Sequence, residues 1–184
     1  MNTTLIISLS LAGILLLWVI SIFNRLTKGR IMAQEGLSGI DAGLQQRFDL
    51  IPNLVETVKG YAGHENKTLI EVINARNKGL GSKNASDKAA ADVVTSQALA
   101  EVLSLSEAYP DLKANENFVA LQDSLEEIET LLNQTRRYYN GTVREYNQAL
   151  AIFPNNLLSG IFGFTPMPFF TAGAGADKPV NVKF

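Results

Sequence analysis

The residues with the best claim to chemistry lie in one stretch, RFDLIPNLVETVKGYAGHE, from Arg47 to Glu65. It holds the sole histidine of the chain, a proline inside an otherwise helical pattern, and several charges among apolar residues. His64-Glu65 matches the start of H-E-x-x-H, in which two histidines one helical turn apart bind zinc and the glutamate acts as base. Thr68 stands where the second histidine would be, so the pattern is incomplete. A metal site of carboxylates alone would need acidic side chains on the inward faces of several helices. Asp41, Glu56, Glu71 and Glu126 lie mostly off the apolar rows and read as a solvated face. Cysteine is absent, which excludes disulfides, thiolate zinc sites and thiol nucleophiles. No G-x-S-x-G, P-loop or G-x-G-x-x-G pattern occurs. The expectation is no catalytic residue, no metal and no cofactor. A net charge of -2 and the lack of a basic stripe argue against nucleic acid as a partner.

Two polar features sit on apolar rows. Arg47 occupies a row position of the first helical stripe. Buried and unpaired it would be costly, so it must reach the edge of the core or pair with an acid from a neighbouring helix. Tyr139-Asn140 and Tyr146-Asn147 repeat seven residues apart. The tyrosines face the stripe, and the asparagines are placed to hydrogen-bond between helices. Both features read as devices that specify one bundle. A ligand pocket lined by Arg47, Tyr139 and Asn140 is the sharper alternative.

The elements that must position these residues begin with a membrane segment. LIISLSLAGILLLWVISIF, Leu5 to Phe23, is uncharged and about long enough to cross a ~30 Å hydrocarbon layer. Leu5, Leu11 and Leu16 would face lipid, with Trp18 and Phe23 near one interface. A cleaved signal would want a basic start and an A-x-A-like site, and neither is evident, so a retained anchor is expected. Arg25, Lys28 and Arg30 follow at once, which places the C-terminal part in the cytoplasm and the N-terminus outside. Ser8, Ala12 and Gly13 are small enough to let two such helices approach.

Beyond the span, Leu37, Leu44, Ile51 and Val58 lie seven apart, with Ile40, Leu54 and Tyr61 as a second row. The rows pass Pro52 in register, which predicts one bent helix ending at Gly60 and Gly63. A second helix is expected over Asn66–Asn77, stopped by Gly79 and Gly81, then a loop, KGLGSKNASD. Ser86 or Asp87 would cap a third helix with the stripe Ala91, Val94, Ala98, Val102, Leu105, Tyr109, stopped by Pro110. The fourth, from about Asn115 to Phe153, carries Phe118, Leu125, Leu132, Tyr139, Tyr146 and Phe153 at seven-residue steps. Four stripes bury one another most simply in an antiparallel bundle.

The predicted fold is therefore all-α, an N-terminal transmembrane helix followed by an antiparallel four-helix bundle with a long, kinked first helix and a long last one. The expected divisions are residues 1–24, 25–153 and 154–184. Alternating helices would return Phe153 to the membrane surface, followed by the uncharged PNNLLSGIFGFTPMPFF. That segment either caps the open end of the bundle or meets lipid or another copy through Ile161, Phe162, Phe164, Phe169 and Phe170. VNVKF alternates Val180, Val182 and Phe184 as an edge strand would, with a frayed tail as the alternative.

RFDLIPNLVETVKGYAGHE, YPDLKANENFVALQDSLEEIE, TRRYYNGTVREYN and FPNNLLSGIFGF, in that order, closely resemble the LemA family of bacterial membrane proteins. The resemblance covers nearly all of the chain after the anchor. It implies a short outer N-terminus, one membrane helix and a helical bundle on the cytoplasmic side of the inner membrane, with no enzymatic activity or cofactor. The motif positions here are Arg47, Asp49, Pro52, Asn53, Tyr109, Pro110, Phe118, Tyr139, Asn140, Asn147, Phe153 and Pro154, a signature of fold and not a catalytic set. One departure stands before Asp41, where a tryptophan is expected and Leu37 is found, with Gly36, Gly39 and Gly43 around it. This implies a weaker helix or closer packing against a second copy. The expected function is a non-enzymatic, self-associating scaffold in membrane or envelope organisation. The alternative is an anchored sensor or adaptor that binds a small ligand or a client such as a membrane protease. Expected partners are membrane lipid, further copies of the chain and such a client.

Overall fold

The computed structural model describes residues 3–61 and 66–171. Six α-helices and no strand occur among these residues, so the chain is all-α. His64, Glu65, Val180, Val182 and Phe184 lie outside the described residues.

The apolar segment and the first bundle helix form a single element. Helix α1 runs Thr3–Lys59, 57 residues, about 85 Å at ~1.5 Å per residue. The junction NRLTKGRIMAQEG contains no proline and is rich in good helix formers, so nothing stops the helix where it leaves the apolar stretch. The helix also continues through Pro52. Proline has no N–H to donate to the carbonyl four residues back. That carbonyl belongs to Phe48, and it accepts instead from Arg76 Nε on the next helix at 2.8 Å.

Helix α2 spans Asn66–Leu80 and α3 spans Ala85–Leu105. The expected loop thus shrinks to residues 81–84. Gly79 does not end α2, because it lies beneath the Phe48 ring, which a Cβ there would strike. Asn84 caps α3, and not Ser86 or Asp87. Its Oδ1 accepts from the Asp87 N–H at 2.9 Å, while its Nδ2 donates to Asp87 Oδ2 at 2.8 Å. In α3 the predicted stripe is partly wrong. Val94 is exposed, whereas Asp92 and Thr95 are buried. Pro110 opens a short helix, α4 (Pro110–Lys113), with Leu112 in the core. Helix α5 is Glu116–Ala151, capped by Asn115 Oδ1, which accepts from the Phe118 N–H at 3.0 Å. Helix α6 is Asn155–Ile161.

The seven-residue series on α5 is buried from Phe118 through Leu125, Leu132 and Tyr139 to Tyr146. Phe153 breaks it, since α5 has already ended, and it is 74% exposed. Opposite the series runs a row of glycines on α1. A Cβ at Gly29 would stand 3.3 Å from Tyr146, one at Gly36 3.1 Å from the Tyr139 Cα, and one at Gly43 2.8 Å from Leu132. Between them, a Cβ at Gly39 would lie 2.9 Å from Thr135 Cγ2. The glycines around Leu37 therefore admit the chain's own α5, not a second copy. Rising residue numbers on α1 meet falling ones on α5, so the two are antiparallel.

The α2–α3 hairpin covers the distal part of this pair. Lys88 Nζ donates to Asp41 Oδ2 at 2.7 Å where α3 first crosses α1. One hydrophobic core joins all four long helices, with Phe48, Ile51, Val72, Val102 and Leu132 among its members. The part of the α1–α5 pair next to the apolar segment is covered instead by α6 and the residues after it. There Ile22, Leu26, Tyr146, Leu150 and Phe164 form a second apolar cluster.

Two glycines with opposite surroundings test this packing. Gly36→Leu must push α5 away and is expected to cost about 1–3 kcal/mol or more. Gly141, with nothing within 4 Å of its missing Cβ, should gain roughly 0.5–1 kcal/mol as Gly141→Ala. Denaturant unfolding of both variants, followed by circular dichroism, checks the pair of signs.

Candidate functional site

Four charged side chains from three helices close into a ring at the edge of the core, with Arg47 and Asp92 buried and Glu129 partly exposed. Arg47 on α1 donates from NH1 to Asp92 Oδ1 on α3 at 2.9 Å, and its NH2 lies 3.3 Å from Glu129 Oε2 on α5. Arg136 on α5 donates to Asp92 Oδ2 at 2.6 Å and to Glu129 Oε1 at 3.2 Å. Glu129 and Arg136 are seven residues apart and so share one face of α5, with Asn133 between them accepting a further bond from Arg136 at 3.2 Å. Two cations and two anions leave the ring neutral. Burial pushes the Asp92 carboxyl above its usual value, against the pull of the Arg136 and Arg47 guanidinium groups. Both Asp92 oxygens are engaged by guanidinium groups, an arrangement that suits a clamp between helices. Among the described residues no group of three His, Asp or Glu side chains is placed to hold a metal.

The predicted need of Arg47 for an acidic partner is met by Asp92 and Glu129. The sequence did not single either out. Asp92 hides in the alanine-rich run SDKAAADVV, where it reads as surface, and Glu129 reads as one of several acids at the start of α5. The usable signal was positional. Asp92 falls between the core residues Ala91 and Thr95, where a solvated acid would not be placed.

The repeated Tyr-Asn pair serves the segment after α6, not a neighbouring helix. Asn147 donates to the Met167 carbonyl at 2.9 Å and accepts from the Met167 N–H at 2.9 Å. Asn140 treats Phe170 the same way, at 2.9 and 2.8 Å. The Tyr139 hydroxyl donates to the Pro168 carbonyl at 2.7 Å. The spacing has a simple cause. Seven helical residues advance about 10.5 Å, and three extended residues advance about 10 Å. Amides seven apart on α5 thus meet backbone groups three apart on the extended strap. Burial raises the Tyr139 hydroxyl above its ordinary pKa, and it does the same for Tyr146 against the pull of Arg30.

The strap ends on the charge ring. The Phe170 ring lies 5.8 Å from the Arg136 guanidinium carbon, within cation–π range. The ligand pocket envisaged between Arg47, Tyr139 and Asn140 is therefore occupied by the chain's own Asp92, Pro168 and Phe170. Phe164 and Phe170, expected to meet lipid or a second copy, are instead buried at 7% and 2% exposure, because the strap carries them into the two apolar clusters. Ile161, Phe162 and Phe169 remain exposed.

The other singled-out residues are dispersed. Asp49 is exposed and accepts from Gln45 at 2.8 Å. Pro52 and Asn53 are exposed on α1, Tyr109 precedes α4 and Pro110 begins it, Phe118 is fully buried, and Pro154 precedes α6. Leu5, Leu11, Leu16 and Trp18 project from the free part of α1, whereas Phe23, at its end, meets the Phe162 and Phe164 rings edge-on. Among the described residues α1 alone is long and apolar enough to cross a membrane, and no residue of its apolar window is buried within the chain.

A family model described as the LemA family matches residues 36–184. No curated protein matches the chain.

Removing one member of the ring strands the others. Asp92→Ala leaves the buried Arg47 and the half-buried Arg136 sharing Glu129 and is expected to cost about 3–5 kcal/mol in denaturant unfolding. The strap gives a separate readout. Asn140→Ala and Asn147→Ala each delete two hydrogen bonds to the backbone, at about 1–3 kcal/mol per buried group left unpaired. Limited proteolysis should then cleave between residues 165 and 171 faster than in the parent, while α5 stays intact.

Proposed function

The chain belongs to the LemA family, and from that premise we propose that it is a non-enzymatic, single-pass scaffold of the bacterial inner membrane. In this reading it associates with its own copies, with the N-terminus outside and the bundle in the cytoplasm. The observation that carries it is the continuity of α1, one helix from the apolar segment into the bundle core. A sensor that searches for clients is served by a flexible tether. A helix without a break transmits position and orientation, so copies that meet in the membrane bring their bundles together in one register.

The interior supports the same reading. The glycine row is filled by α5, the charge ring is neutral and closed, and the groove beside Asn140 is filled by the strap. Among the described residues the most exposed large apolar side chains, Phe153, Ile161 and Leu11 among them, lie on the span and on an apolar rim at the foot of the bundle. On the span, Ser8 and Ala12 stand one turn apart and both are exposed, and a Cβ at Gly13 would meet nothing. Small residues so placed permit close approach of two spans. Arg25, Lys28 and Arg30 support the cytoplasmic placement of the bundle.

Mass photometry of the protein in native-lipid nanodiscs should give oligomers. The double change Ala12→Leu and Gly13→Leu should shift them toward single copies. A monodisperse single copy in the parent would sink the scaffold reading. A single copy that holds a stoichiometric client, a membrane protease for instance, would establish the adaptor reading in its place.

A further inference from the structure

Helix α6 packs Leu158 against the second apolar cluster yet turns a largely apolar face outward. Its buried residues are the polar Asn155 and Ser159, while Leu157 and Ile161, four apart on one face, are 61% and 75% exposed. Asn155 is held inward by donating to the Ala149 carbonyl at 2.9 Å, and the Ser159 carbonyl accepts from the Phe164 N–H at 2.9 Å. The turn before α6 continues the pattern, with Ile152 57% and Phe153 74% exposed. A helix on a water-facing surface shows the opposite polarity. The stretch from Tyr146 to Ala176 also carries no charged residue, although much of its described part is at the surface.

The height of this face is set by α1. The Phe162 and Phe164 rings meet Phe23 edge-on, with centroids 5.1 and 5.6 Å away. Phe23 is the last residue of the uncharged segment, and Arg25 follows two residues later. Resting on the reading that Leu5 to Phe23 crosses a bilayer, we propose that α6 and the turn before it are a second membrane contact, with Phe153, Leu157 and Ile161 entering the headgroup–acyl boundary of the leaflet at the foot of the bundle. Lipid is the occupant because the face is continuous with a surface that lipid already covers. Apolar side chains at that depth with cationic ones just above are the pattern of interfacial helices, and Arg25, Lys28 and Arg30 supply the cations. Two points of attachment fix the tilt of the bundle, which one span does not.

The test uses the full chain in phosphatidylcholine–phosphatidylglycerol vesicles, with Trp18→Phe as background. Leu157→Trp and Ile161→Trp place single probes on the face, at positions exposed enough for the fold to accept them. Val119→Trp, an exposed position in the first turn of α5, is the membrane-distal reference. Lipid brominated near the headgroup should quench the probes at 157 and 161 several-fold more than the one at 119, and aqueous iodide should show the reverse order. Probes at 157 and 161 quenched by iodide and untouched by brominated lipid overturn the proposal. Probes shielded from both quenchers, and freed when vesicles hold one copy each, assign the face to a second copy and overturn it too. Lipid quenching in a protein that stays a single copy upholds the contact while the scaffold reading falls.

Discussion

Packed helices ordinarily keep their axes 8–10 Å apart, a distance set by the side chains between them. Helix α1 removes those side chains on one face, at Gly29, Gly36 and Gly43, and α5 answers with Tyr146, Tyr139 and Leu132 at the same spacing. At Gly36 the helix backbone itself, the Tyr139 Cα, lies against the missing Cβ. The rest of the proximal bundle depends on this approach. It buries Tyr139 completely and holds its rotation, which turns the adjacent Asn140 to the flank of α5. Tyr146 and Asn147 repeat the arrangement one step nearer the apolar segment. The asparagines can grip a strap only because the tyrosines beside them are pinned.

The charge ring constrains the remaining element in a different way. Taking charges from water is costly, and an apolar replacement of similar volume is often as stable or more so. The ring is therefore better understood as a device for register. The α2–α3 hairpin meets α1 and α5 largely through small and branched apolar residues such as Ala89, Ala98, Leu99 and Val102, which would tolerate sliding. A shift of α3 by one turn would carry Asp92 about 5.4 Å along the axis and leave the buried Arg47 and the half-buried Arg136 without it. The Arg76 bond to the carbonyl left free by Pro52 fixes α2 in the same manner. Polar groups that must be paired hold what apolar contact alone would leave loose.

The period of the apolar rows made most of this fold legible. The long last helix, the continuation through Pro52 and the all-α class are all consequences of seven-residue spacing. The failures are just as physical. The rows of α3 misplaced Val94 because alanines give a weak stripe, and they missed Asp92 because a buried acid announces itself only through partners distant in sequence. Gly79 read as a stop because the propensity of glycine is local, whereas its use under Phe48 is tertiary. Gly29 went unremarked, although it lies seven residues before Gly36 and completes the row. The role of Asn140 and Asn147 was also half visible. Their spacing stood out, but their partners lie in a segment without regular structure, for which no periodicity exists.

That segment links the foot of the bundle to the charge ring. From α6 it runs antiparallel to α5, past Asn147 and Asn140, and finishes over Arg136. Its first anchor, Phe164, packs with Ile22 and Leu26 at the end of the apolar segment, and Arg30 lies 5.2 Å above its ring. Its last, Phe170, belongs to the main core. One strap thus touches the foot of the bundle and the charge ring, held between them by five hydrogen bonds to Tyr139, Asn140 and Asn147. Displacing it would expose two phenylalanines and leave three polar side chains of α5 without partners. The proximal half of the α1–α5 pair, which the α2–α3 hairpin does not reach, is therefore a complete structure only with its own C-terminal segment in place.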